Sequence, residues 1–326
     1  MPSGSTGPDG GKSGCLPGGD QPTGARKGRY LPPLGLEVMC RLLGLLTSQD
    51  DAAETWLVRS ERSLLAQSHA SPETAQRDGW GIAWYTEGGR THVEKGIRGA
   101  FEPSEQERFL AAARASSPPL VVGHVRHASN PLGLPADQLL GPENSQPFDT
   151  HTRLFAHNGA IPFPRETRPL LGVHERDPRG VNDSEVLFWL LVRHTDETND
   201  PLRGYVQSVE DLVRVWQGLG RPKVAAFSGL NVLFTPNPQE LWAFCLWTGD
   251  HGPGLLDPSR RYYEMTYRAG PHRLLVGSEP FDGERSGWVS MPSGSYLHGV
   301  RHGSYVELTR GTVPLPAGLQ VGPVPA

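Results

Sequence analysis

The chain reads as an α+β protein whose sheets are mostly antiparallel. Three observations lead there. Strands and helices alternate without the regular beat of βαβ units, so a doubly wound parallel sheet is not expected. An aromatic-rich run, Gly79-Trp80-Gly81-Ile82-Ala83-Trp84-Tyr85, is turned by Gly88-Gly89 into Thr91-His92-Val93-Glu94, a hairpin signature. The last hundred residues are almost wholly strand-like, with runs at 230–235, 241–247, 261–268 and 273–277 and two more towards the end.

Before the first strand lies a segment of a different kind. Residues 1–38 hold 10 Gly and 6 Pro with almost no periodic apolar content. Such a stretch buries too little surface to offset its ordering entropy, and it lacks the continuous apolar core of a signal peptide. Residues 1–39 are therefore expected to be a disordered leader or a mis-assigned upstream start, with one domain over residues 40–326. Met39-Cys40-Arg41-Leu42-Leu43-Gly44 looks like a true start followed by a strand.

After that strand, residues 51–66 predict a helix with Trp56, Leu57, Leu64 and Leu65 as apolar positions. The Ser/His/Pro-rich stretch from Gln67 to Arg77 predicts a loop. Pro103-Ser104-Glu105 opens a second helix, carried by Phe109 and Leu110 and stopped by Pro118-Pro119. Leu120 to Arg126 reads as a buried strand. A long loop containing Glu143-Asn144-Ser145-Gln146-Pro147-Phe148 leads to the short strand Leu154-Phe155-Ala156-His157 and the turn dipeptide Asn158-Gly159. Asn182-Asp183-Ser184-Glu185 opens a helix with Val186, Leu187, Leu190 and Leu191 on its face, and Ser208-Val209-Glu210-Asp211 opens another. There is no internal repeat.

Composition narrows the function. A net charge of −4 gives no general attraction to nucleic acid or to anionic lipid, and no run approaches a membrane span. The three cysteines, Cys15, Cys40 and Cys245, are too few and too scattered for a disulfide framework, so a cytoplasmic protein is expected. His124, His127 and His157 do not form a metal-ligand set, since His124 and His127 face opposite sides of a strand. No metal or cofactor is assigned.

Five elements occur in a telling order: Met39-Cys40, Asp78-Gly79-Trp80-Gly81, Gly123-His124-Val125-Arg126-His127-Ala128-Ser129, Phe155-Ala156-His157-Asn158-Gly159 and Asn182-Asp183-Ser184-Glu185. Together they resemble the glutaminase domain of class II glutamine amidotransferases, members of the N-terminal-nucleophile hydrolases. The likeness runs from Cys40 to roughly Glu279. It implies a four-layer αββα sandwich and an enzyme that splits the γ-amide of glutamine or of a γ-glutamyl compound.

Within that resemblance Cys40 is the nucleophile, and as an N-terminal residue its own α-amine is the base. Asn158 and Gly159 correspond to the oxyanion hole. Arg126 corresponds to the arginine that clamps the substrate α-carboxylate, and Asp183 to the carboxylate that holds its α-ammonium. Where synthase-feeding members carry Gln-His-Arg-Gly, this chain reads Gln67-Ser68-His69-Ala70. Its Met-Cys-Arg start and Asp78-Gly79-Trp80-Gly81 element look closer to stand-alone γ-glutamyl hydrolases, such as those of ergothioneine biosynthesis and glutathione breakdown. The implied partners are glutamine or a γ-glutamyl compound, and a synthase subunit that accepts ammonia. A second reading stays open: a non-catalytic amino-acid-binding or regulatory subunit whose thiol remains behind an unprocessed N-terminus.

Overall fold

In a computed structural model of the protein, residues 40–249, 251–284, 286–319 and Gly322 are described. The expected leader, residues 1–39, lies outside these described residues.

Among the described residues thirteen strands form two sheets: β1 (Arg41–Thr47), β2 (Trp80–Tyr85), β3 (Thr91–Gly96), β4 (Leu120–Val125), β5 (Phe148–Asp149), β6 (Leu154–Asn158), β7 (Asn231–Asn237), β8 (Glu240–Cys245), β9 (Met265–Gly270), β10 (Arg273–Gly277), β11 (Val289–Met291), β12 (Ser295–His302) and β13 (Tyr305–Thr312). The first sheet runs β11-β9-β10-β1-β4-β2-β3 and the second β13-β12-β8-β7-β6-β5. Every pairing between these strands is antiparallel. That is the α+β arrangement read from the sequence.

Alternation along the strands sorts the apolar residues into layers. In β1, Leu42 and Leu46 face the second sheet, where they meet Leu233, Leu241 and Ala243. Leu43 and Leu45 point the other way, onto Trp56, Leu57, Leu64 and Phe109. On the far side of the second sheet, Phe155, Val232 and Phe244 pack against Leu187, Leu191, Tyr205 and Val209 from the helices Asp183–Thr198 and Pro201–Gly218. Helix, sheet, sheet and helix make four layers, with apolar side chains packed at each interface.

Two predicted helices differ from expectation. Residues 51–66 are not one helix but a short turn at Thr55–Arg59 and another at Leu64–Gln67. Ser60 is extended, the Arg62 amide donates to the Phe281 carbonyl at 3.1 Å, and Ser63 caps the second turn through the Ala66 amide. A tertiary contact thus replaces one helical bond, while all four predicted apolar positions remain buried. The helix expected to open at Ser208 starts at Pro201 instead. The Asp200 side chain accepts from the amides of Leu202 and Arg203, and Pro201 supplies a preset first turn.

Candidate active site

The site lies where the strands of both sheets end together. β1 begins just after Cys40, its neighbour β4 runs out at Val125 into Arg126, and across the sandwich β6 ends at Asn158. Cys40 is buried, and its Sγ stands 3.4 Å from the His127 carbonyl. Burial pushes the thiol up to about 11, against the opposing pull of the His127 backbone contact and of Arg126. The other charges acting on it are Asp183 and Asp78. The structure therefore brings the predicted cysteine, arginine and aspartate into one electrostatic neighbourhood.

Arg126 is 3% exposed and carries its charge into this pocket. Its Nη1 donates to the carbonyls of Asp78 and Leu139 at 3.0 and 2.9 Å, which fixes the guanidinium plane. The Nε–Nη2 edge makes no hydrogen bond among the described residues. That edge is the fork which receives a carboxylate in a bidentate pair. The backbone of Arg126 is laddered to residues 78 and 79, so Asp78-Gly79-Trp80-Gly81 and the β4 motif meet directly. Asp78 closes the loop by accepting from the Ala128 amide at 2.8 Å.

Asp183 sits in the first turn of its helix, after the Asn182 cap. Its Oδ1 accepts from the Ser129 hydroxyl at 3.0 Å and its Oδ2 from the Ile161 amide at 2.7 Å. One carboxylate so ties together the segments after β4 and after the Asn158-Gly159 turn. Each oxygen accepts a single bond there, which leaves lone-pair capacity for an ammonium group.

Asn158 is 1% exposed, and neither its Nδ2 nor its Oδ1 has a partner among the described residues. A buried amide left this way costs free energy unless something polar enters the pocket to meet it. Gly159 follows with φ +156°, and a Cβ there would stand 1.8 Å from the Gly229 carbonyl oxygen. Only glycine fits that approach.

Two histidines sit behind the turn. His157 Nε2 is 3.0 Å from the Gly229 carbonyl and Nδ1 is 2.8 Å from the Ser184 hydroxyl. A carbonyl only accepts, so Nε2 carries the proton and Nδ1 accepts from serine. Burial lowers the affinity of His157 for a second proton, and it holds His124 down to about 3, helped there by the Arg126 charge. Both rings are neutral supports. Among the described residues no group of three or more His, Cys, Asp or Glu side chains could hold a metal ion.

The loop before β5 braces the site. The Gln146 side chain both donates to the His157 carbonyl and accepts from the His157 amide, at 3.2 and 2.6 Å. Asn144 accepts from the Val181 amide and donates to the Gln138 carbonyl, holding the stretch that leads into Asp183. Other neighbours carried no signal in the sequence. Ser228 accepts from the Ala160 amide, and Tyr263 bonds Ser228. The Arg41 guanidinium is fully buried, has no hydrogen-bond partner among the described residues and stacks 4.1 Å over the Tyr262 ring.

With this geometry in place, comparison with known proteins gives a consistent result. Residues 39–253 match the family described as glutamine amidotransferases class-II, which covers well over half of the chain. The chain belongs to that family. Among solved structures, a glutamine aminotransferase class-II domain protein from Silicibacter pomeroyi aligns with a TM-score of 0.56 at 17% identity, covering 84% of this chain and 99% of that one. A glutamine phosphoribosylpyrophosphate amidotransferase from B. subtilis, complexed with ADP and GMP, aligns with a TM-score of 0.52 at 16% identity, covering 83% of this chain and 49% of that one. At such identities the two structures bear on the fold alone, an α+β arrangement of mostly antiparallel sheets with helices. No curated protein matches the sequence. No helix among the described residues is long and apolar enough to cross a membrane.

Proposed function

We propose that the protein is a γ-glutamyl amidohydrolase that uses Cys40 as its nucleophile. The observation that carries this reading is the meeting of buried Cys40, Arg126 and Asp183 in one electrostatic neighbourhood, with the buried Asn158 amide, unpartnered among the described residues, at the end of β6. The open edge of Arg126 and the spare lone pairs of Asp183 suit the carboxylate and ammonium of one free amino-acid end. A substrate clamped there presents its γ-carbonyl to the thiol.

The Cys40 Sγ attacks that carbon, and its proton passes to a base. Removal of residues 1–39 makes Cys40 the first residue, and its α-amine, with an ordinary pKa of about 7.7–8.0, is then that base. Negative charge on the carbonyl oxygen is met by the Asn158 Nδ2 and the Gly159 amide. Collapse expels ammonia or an amine, which takes the proton from the α-amine, and leaves a γ-glutamyl thioester. Water cleaves the thioester to glutamate and restores the thiol. Ammonia released this way is available to a synthase subunit or to solvent.

The rival reading, an unprocessed amino-acid-binding or regulatory subunit, has one observation on its side: burial keeps the Cys40 thiol protonated at neutral pH in the uncut chain. Intact mass decides between them. Protein expressed from its native gene is weighed before and after treatment with a glutamine-analogue diazo-ketone. A chain beginning at Cys40 that gains one adduct, lost in Cys40→Ala together with glutaminase activity, is the expected result. Full turnover by Cys40→Ala would sink the mechanism.

A further inference from the structure

The proposed nucleophile and the proposed oxyanion donors stand on different sheets. Cys40 precedes β1 in the first sheet, whereas Asn158 and Gly159 end β6 in the second. Some rigid connection has to hold the two at a fixed separation, because transition-state donors lose their effect when displaced by about 0.5 Å. We propose that the dipeptide Tyr262-Tyr263 is one such connection, beside the Ser129–Asp183–Ile161 link, and that Tyr263 is a positioning residue for the Asn158-Gly159 turn. The inference rests on the reaction proposed above for its catalytic meaning, and on geometry for the positioning itself.

Tyr263 reaches the back of the turn at three points. Its hydroxyl lies 3.0 Å from Ser228 Oγ, which accepts from the Ala160 amide at 3.1 Å, and the Ser228 amide returns a bond to the Ala160 carbonyl. The residue next to Gly159 is thus gripped on both its amide and its carbonyl. The Tyr263 ring packs on Gly229, where a Cβ would come within 2.6 Å of Cε1. Gly229 is the residue whose carbonyl receives His157 and lies against Gly159. The Tyr263 carbonyl, finally, accepts from Asn231 Nδ2 at 2.6 Å, and Asn231 is the cross-strand partner of Asn158.

The other end of the dipeptide is fixed to the nucleophile's sheet. Tyr262 and Tyr263 shortly precede β9, a member of the first sheet. The Tyr262 ring meets the Tyr263 ring edge-on at 5.7 Å and carries the Arg41 guanidinium 4.1 Å above it. Arg41 is the residue after Cys40. A continuous chain of contacts therefore runs from the nucleophile through Arg41, Tyr262, Tyr263 and Ser228 to the oxyanion turn. Both tyrosines are buried, and they lie beyond the residues matched by the family.

Tyr263→Phe removes one oxygen and keeps the ring, and Ser228→Ala removes the same link from the other side. Two readouts are taken on the protein that begins at Cys40 and on both variants of it. The first is backbone hydrogen exchange at residues 158–161. The second is the split between kcat and KM for glutamine. Tyr263→Phe is expected to speed exchange at 158–161 by about tenfold or more while β7 and β10 keep their protection, and to lower kcat by about tenfold with KM within about twofold. The double variant is expected to be no worse than Ser228→Ala alone, since both act on one link. Unchanged exchange at 158–161 in both single variants overturns the inference whatever the activity. A raised KM with normal kcat overturns it as well, because the residue would then serve binding. Faster exchange in a protein whose wild type hydrolyses neither glutamine nor a γ-glutamyl amide supports the positioning role and removes the proposed reaction instead.

Discussion

Asn158 and Arg126 divide the proposed chemistry between them, and the structure gives each a different unmet need. The Asn158 amide is buried with no partner among the described residues, so its donor is expected to matter only when charge develops on the substrate oxygen. Asn158→Ala should lower kcat by roughly 10²–10³-fold with little change in KM, the pattern of an interaction made in the transition state. Steady-state kinetics on glutamine check it, and an equal rise in KM would reassign the residue to ground-state binding. Arg126 is the reverse case. Its Nη1 is spent on two backbone carbonyls, so only the planar Nε–Nη2 edge is left for a carboxylate. Lysine offers no such edge. Arg126→Lys should therefore raise KM for glutamine by about tenfold or more, with a smaller effect on kcat. An unchanged KM would remove the clamp assignment.

The elements around the site explain why the motifs were legible as an ordered set and which parts were not. Asp78-Gly79-Trp80-Gly81 matters twice: its Asp78 carbonyl holds Arg126, and β2 lies against the loop that holds Gln146. A Cβ on Gly81 would stand 2.1 Å from the Gln146 carbonyl oxygen and 2.8 Å from Pro147 Cδ. Gly81→Ala should push that loop away, at a cost of roughly 1–3 kcal/mol in stability. It should also loosen the Gln146 grip on His157. Thermal denaturation together with diazo-ketone labelling tests this, and an unshifted midpoint would mean that the loop yields freely. Cys40, Arg126, Asn158 and Asp183 are singled out by the resemblance that five short motifs carry through their order, not by any one motif alone. The break at Ser60 was not visible, since its cause is the Phe281 carbonyl more than two hundred residues away. Tyr262 and Tyr263 looked like ordinary strand residues. Their meaning comes from Ser228 and Arg41, which only folding brings near. The Pro201 helix start, by contrast, was written locally in Asp200-Pro201 and shows that a cap can outweigh apolar periodicity.

At the scale of the whole molecule, the pH dependence separates a cut chain from an uncut one. In the uncut chain Cys40 has a peptide bond on its amine side, and burial pushes its thiol up to about 11. Attack by thiolate then grows with the ionised fraction, about tenfold per pH unit, through the whole neutral range. A chain that begins at Cys40 has a second titrating group beside the sulfur. Its α-amine is a base only when unprotonated, and it loses its proton near about 8. Activity that relies on this amine rises as pH rises towards that value and then levels, because further deprotonation adds no more base. The expected result is a glutaminase profile with a plateau above about pH 8 for protein starting at Cys40. The uncut chain should show no turnover, and its alkylation rate should keep climbing towards pH 11. The two profiles are measured on the same sequence with and without residues 1–39, so folding and pocket chemistry are held constant between them. A plateau near 8 in both would mean that some group other than the Cys40 amine is the base.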